Sequence, residues 1–309
     1  MTGKVLSILI ILSFVTVLVL VLPLGIAPNN ASANYKNVTV WTRVNITNSR
    51  PEVLNVTFQD ASNTSLRNIT INAGNTKTVY CNVSVRDWNG FNDIIYLNAT
   101  IWHSATSNYS AADSNNSHYT NNSCIINAST SLYIGWYVCS FDVYYYANNG
   151  TWICNASVVD NANTTGAGLG NNTFYSVYAL NVTDGIDYGA VAVEDWTGNV
   201  TANITNLGNM PINVTVEGYG AKKGDGLAMN CSLGGNISVG NERFSTENVD
   251  WGLKIPLNGT SQLLSNLTLL KQNSSAVITN STYWQLYIDS TNNPGGNCTG
   301  FVIFTAVAS

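Results

Sequence analysis

The runs Val79-Tyr80-Cys81-Asn82-Val83-Ser84-Val85 and Ile94-Ile95-Tyr96-Leu97-Asn98-Ala99-Thr100-Ile101 flank the turn cluster Asp87-Trp88-Asn89-Gly90. In the first run apolar and polar residues alternate. That is the period of a half-buried β-strand, whose successive side chains point to opposite faces. The same period recurs at Val38, Val40, Val44 and Ile46, and again from Val200 to Ile204. Turn clusters at Asn72-Ala73-Gly74-Asn75 and Ala147-Asn148-Asn149-Gly150 punctuate the runs. Beyond the N-terminus no long amphipathic helix interrupts the pattern, and short strands spaced by turn signals predict an all-β protein built of β-sandwiches.

Woven into these strands are 27 Asn-x-Ser/Thr triplets, running from Asn30 to Asn297. The 45 asparagines and the 59 serines and threonines would give about nine by chance. The triplet is the acceptor signal for N-linked glycans, which are added on export to exposed backbone. In eleven triplets the middle residue is Val, Ile or Leu. Residues one and three of a strand triplet share a face, so Asn and Thr should look outward while the aliphatic residue packs inward. The acceptors expected on this basis include Asn37, Asn45, Asn55, Asn68, Asn82, Asn98, Asn155, Asn181, Asn199, Asn203, Asn213, Asn236 and Asn266.

Composition excludes several classes. Only 9% of the 309 residues are charged, against roughly 25% in an ordinary soluble domain. A net charge of −5 without any long basic run argues against nucleic acid or an anionic membrane surface as partner. With 45% hydrophobic residues and 32 aromatics the chain can bury a core, so disorder is excluded. Residues 1–33 combine Lys4, the apolar stretch Val5–Val21 and the small-residue site Ala31-Ser32-Ala33, which reads as a signal peptide. Counted through Ala27, the same stretch is long enough to act instead as an uncleaved signal-anchor helix, the single membrane contact expected.

A fresh series of strands begins after Asp184-Gly185. The reading is therefore one sandwich at 34–183, closed by a strand at Phe174–Val182, and a second at 184–309. Six cysteines in an exported chain predict disulfides. Cys124 and Cys139 are close enough for a local bridge, and Cys231 and Cys298 are alone in the second sandwich.

Gly150-Thr151-Trp152-Ile153-Cys154 resembles strand F of immunoglobulin domains, in which a turn is followed by aromatic-x-Cys. The resemblance spans about residues 37–183. It implies an Ig-like sandwich and a bridge from Cys154 to Cys81 on strand B. Trp152 stands where antibody domains carry Tyr, which leaves the tyrosine-corner hydrogen bond without its usual donor. Together with the triplets and the N-terminal segment, Cys81-Asn82-Val83-Ser84-Val85-Arg86-Asp87-Trp88-Asn89-Gly90-Phe91-Asn92-Asp93-Ile94 is similar to archaeal-type secreted cell-surface glycoproteins with Ig-like domains. That resemblance implies an extracellular location.

No catalytic constellation is found, and no enzyme is expected. His103 and His118 neighbour no nucleophile, Glu194 and Asp195 are adjacent and point apart on a strand, and no Gly-x-Ser-x-Gly elbow occurs. Asp87, Asn89 and Asp93 place hard oxygens around Gly90, a pattern that suits calcium as well as a tight turn capped by its own Asp and Asn. No other cofactor is indicated. Tyr144 and Tyr146 are expected to face outward from the aromatic stretch Tyr133–Tyr146 and to offer a sugar-stacking surface. The triplets thin out at Thr130–Asn148, Val216–Met229 and Val239–Leu257, where a partner would find bare protein. The functional expectation is a structural or adhesion protein of the cell envelope, with other envelope proteins or glycans as partners. Two alternatives stand beside it. One is a filament subunit, a homo-oligomer assembled by strand addition or through the N-terminal helix; the other is a carbohydrate-binding module.

Overall fold

Alternation becomes strand pairing from Glu52 onward. The computed structural model describes residues 39–59 and 68–309. The signal or anchor segment and Asn37 lie outside them. The first eight strands are β1 (Glu52–Gln59), β2 (Lys77–Arg86), β3 (Ile94–His103), β4 (His118–Asn121), β5 (Ile125–Ser129), β6 (Ile134–Val143), β7 (Gly150–Asp160) and β8 (Thr165–Phe174). They form two antiparallel sheets, ordered β1-β2-β6-β5 and β4-β3-β7-β8. Lettered along the chain from A, with β4 as C′, the two sheets are ABED and C′CFG, the immunoglobulin arrangement.

The core between these sheets explains the spacing of the sequence. Val79, Cys81, Val83 and Val85 of β2 face Leu97, Ala99 and Ile101 of β3 and Trp152, Cys154, Ala156 and Val158 of β7, all buried. The Cys81–Cys154 bridge joins the two sheets, and Cys124–Cys139 ties the start of β5 to β6. Trp152 is fully buried and stacks on Phe174, with ring centroids 4.8 Å apart. Its indole N–H donates to the Asn148 carbonyl at 2.7 Å, so the backbone bond of a tyrosine corner is made here by Trp.

Twelve further strands follow: β9 (Leu180–Val182), β10 (Asp195–Trp196), β11 (Val200–Asn206), β12 (Ile212–Tyr219), β13 (Leu227–Cys231), β14 (Asn236–Ser238), β15 (Glu242–Ser245), β16 (Ile255–Pro256), β17 (Gln262–Leu269), β18 (Thr279–Ile288), β19 (Cys298–Thr299) and β20 (Phe301–Ala308). One sheet runs β16-β15-β18-β11-β9, with β10 also on β18; it faces β17-β12-β20 across a core centred on Ile204, Val214, Phe244 and Trp284. A small sheet β14-β13-β19 carries the Cys231–Cys298 bridge. This order differs from that of the first sandwich.

Two strand expectations are corrected. The segment Phe174–Val182 does not close the first sandwich. β8 ends at Phe174, and β9 pairs with β11, so Leu180 and Val182 pack on the second core. The hand-over between cores is therefore Tyr175–Ala179, ahead of Asp184. Residues 39–50 form no strand despite their alternation, and Ile46 is 85% exposed. Alternation supplies a face to bury but no partner to bury it against.

The hand-over segment is held closely by the β11–β12 turn. Val177 donates its N–H to Asn209 Oδ1 at 2.7 Å, Asn209 Nδ2 donates to the Tyr175 carbonyl at 3.0 Å, and the Leu207 N–H donates to the Ala179 carbonyl at 2.9 Å. Lys271 adds a second tie. Its ammonium donates to Asn116 Oδ1 (2.8 Å), the Tyr146 carbonyl (2.9 Å) and Asn148 Oδ1 (2.7 Å), all in the first sandwich. Burial pulls the Lys271 amine below its usual value, and the three acceptors compensate the lost hydration.

Candidate functional site

The turn after β2 brings together an acidic cluster that the sequence shows only in part. Gly90 takes φ 120, a backbone conformation that glycine tolerates, and the chain then enters a 3-10 turn at Phe91–Asp93. Phe91 is buried against Gly135, where any Cβ would collide with its ring, and this seats the turn that carries Asp93. Asp160 arrives from the far end of β7, since Ile94 pairs with Asp160 in the β3–β7 ladder. One carboxylate oxygen from each of Asp87, Asp93 and Asp160 lies within 4.8 Å of the others.

The three acids have different surroundings. Burial raises the Asp87 carboxyl above its usual value, the Asn89 amide opposes this, and the charges of Asp93 and Asp160 add to the rise. Burial would raise Asp160 too, but hydrogen bonds from Thr164 and Asn48 outweigh it and hold that carboxyl low. The Asn48 bond measures 2.8 Å and the Thr164 amide bond 2.7 Å. Asp93 accepts from Asn161 Nδ2 at 2.9 Å. The Asn89 Oδ1 accepts the Ser49 N–H at 2.6 Å, and Asp160 is a carboxylate of the cluster that the sequence did not suggest. Spacing within one turn could not reveal Asp160, because the β3–β7 register brings it there.

The acceptor triplets follow the strand logic with one clear departure. Of the ten aliphatic middle residues that are described, nine are buried or half-buried, and Ile46 alone is exposed. Asn45, Asn55, Asn181, Asn199, Asn203 and Asn266 are exposed; Asn68, Asn98, Asn155, Asn213 and Asn236 are half-buried. Asn82 is only 8% exposed, and its amide donates to Gln59 Oε1 at 3.0 Å. It lies on a central strand between Thr57 and Val138, with little of its side chain open to solvent.

The outward placement of Tyr146 is also corrected. β6 ends at Val143, and a turn closed by the Ala147 N–H on the Tyr144 carbonyl breaks the alternation. Tyr146 is completely buried and Tyr144 half-buried, with ring centroids 5.3 Å apart. An aromatic surface lies instead on the second sandwich. Trp196 of β10 is 49% exposed and sits 4.9 Å from Tyr287 of β18, which is 6.2 Å from Trp251. The Arg243 guanidinium stacks 4.6 Å above Trp251. Arg243 and Trp251 belong to the triplet-free interval Val239–Leu257, the signal that pointed to this face.

Both histidines serve the local structure. Burial lowers the His103 pKa, and its ring contacts Thr106 Oγ1 and the Asn149 carbonyl at 2.8 and 2.9 Å. His118 is buried, with Nδ1 2.8 Å from Asp113 Oδ1. Glu194 accepts from the Tyr287 hydroxyl (2.5 Å) and the Ser290 amide (2.9 Å). Glu242 is buried beside Tyr188, whose hydroxyl donates to it at 2.7 Å; burial pushes its carboxyl up to about 7, against that hydrogen bond.

No family model and no curated protein matches the chain. Among solved structures it is similar to the CsuC–CsuE chaperone–tip adhesion subunit complex of archaic chaperone-usher Csu pili from Acinetobacter baumannii, at 10% identity and TM-score 0.38, covering 77% of this chain and 96% of that one. A chaperone–tip adhesin complex of CFA/I fimbriae biogenesis gives 12% identity and TM-score 0.28, with 84% of each chain covered. A carbohydrate-binding module of the β-sandwich superfamily gives 12% identity and TM-score 0.24, covering 84% of this chain and 97% of that one.

Proposed function

We propose that the chain is an exported, N-glycosylated, non-catalytic protein of the cell surface, structural or adhesive in the cell envelope. The observation that carries this reading is the placement of the triplets. On both sandwiches the aliphatic middle residue is in the core while most acceptor asparagines reach solvent. Supporting it, all six cysteines are paired, as suits an oxidising compartment. Mass spectrometry of the native protein tests it: glycans on exposed asparagines and intact bridges are expected, whereas bare asparagines and free thiols throughout would refute it.

A second reading rests on the Trp196, Tyr287 and Trp251 face. Planar rings partly open to solvent, with a guanidinium at their rim, suit stacking on sugar rings and a hydrogen bond to a hydroxyl. In this reading the adhesive partner is a glycan and the second sandwich is the binding module. A filament built by strand addition would use β20, which stands at the edge of its sheet beside β12.

A further inference from the structure

We infer that Asp87, Asp93 and Asp160 form a site for one divalent, oxygen-seeking cation of the calcium type. This inference is independent of the surface reading above. The three oxygens lie within 4.8 Å of one another, and two oxygens each about 2.3–2.6 Å from a shared calcium ion are at most about 5 Å apart. All three donors are carboxylates, the ligand set preferred by hard cations over zinc or copper.

A second observation points to an occupant. Asp87 is 0% exposed, and its Oδ1 accepts the Asn89 amide at 2.8 Å. Its Oδ2 is buried with no hydrogen-bond partner among the described residues, which leaves that oxygen to the cluster. A buried carboxylate oxygen with neither donor nor counter-charge is unfavourable, and two further carboxylates beside it make it more so. The ion pairs among the described residues are Arg86–Glu52, His118–Asp113 and Lys223–Glu217, so no cation partners any of the three acids. A metal ion supplies both the charge and the missing contact. It would join the β2–β3 turn to the end of β7, with water completing its shell.

The test uses the full chain freed of metal with EDTA and titrated with calcium chloride alone. Calorimetry should show one calcium per chain, and the melting temperature should rise by several degrees at saturation, because the ion binds only the folded form. Magnesium, which dehydrates reluctantly, should give a smaller rise at equal concentration. Asp87→Asn and, separately, Asp93→Asn should abolish the calcium-dependent rise while melting no lower than the metal-free wild type. Two results would overturn the inference. One is a wild-type melting temperature that is the same in calcium and in EDTA, with no binding heat; the other is undiminished calcium binding by both variants.

Discussion

At the scale of single residues, three glycines of β8 show how a short sequence pattern sets tertiary packing. Gly166, Gly168 and Gly170 alternate along the strand and so share one face. A Cβ on Gly166 would lie 2.2 Å from the Pro51 carbonyl oxygen, one on Gly168 2.4 Å from Val53 Cγ1, and one on Gly170 2.3 Å from the Val56 carbonyl oxygen. The bare face therefore lets β1 lie against β8 with backbone in contact. Gly168→Ala should destabilise the protein by about 1–3 kcal/mol in urea denaturation, because β1 must shift to admit one methyl. Ala167→Val, on the exposed face of the same strand, should change stability by less than about 0.5 kcal/mol. The residue scale is also where the sequence was hardest to read. Asp160 and the Trp196 face depend on strand register across tens of residues, which local spacing does not encode. Asn82 and Tyr146 have the right alternation for exposure, yet a hydrogen bond to Gln59 draws one in and a turn redirects the other.

At the scale of elements, periodicity was a good guide wherever neighbours existed to receive it. β2 and β3 lie where the alternating or apolar runs put them, β7 lies where the strand F resemblance puts it, and Cys81–Cys154 joins β2 to β7. Alternation failed at residues 39–50, which pair with no strand among the described residues, and at β9, whose allegiance is set by the Ile204–Val182 pairing. β10 is a two-residue strand, too short to leave a pattern, but it positions Trp196 on Tyr287. If that face binds sugar, Trp196→Ala should weaken binding on a glycan array at least tenfold and leave the melting temperature within about 2 °C, since roughly half the side chain is already in solvent. Equal binding by the variant would remove the second sandwich as the sugar-binding surface.

At the scale of the whole molecule, Thr47–Ser309 form one unit in which the two cores are joined by more than a covalent linker. Lys271 places a half-buried ammonium among three acceptors of the first sandwich, and replacing it leaves those acceptors without their donor. Lys271→Met should therefore cost about 1–3 kcal/mol in chemical denaturation, more than an ordinary surface substitution. A loss below about 0.5 kcal/mol would show that the tie is not needed. The triplets are spread over both sandwiches, and the exposed Asn199, whose amide donates to Asn248 Oδ1 at 2.6 Å, brings one of them to the Trp196 side. The most direct test of the surface-glycoprotein account is site-by-site glycopeptide mass spectrometry of the native protein. The account predicts glycans at exposed acceptors such as Asn55, Asn203 and Asn266, and an unmodified Asn82. Bare asparagines at Asn55, Asn203 and Asn266 would contradict it.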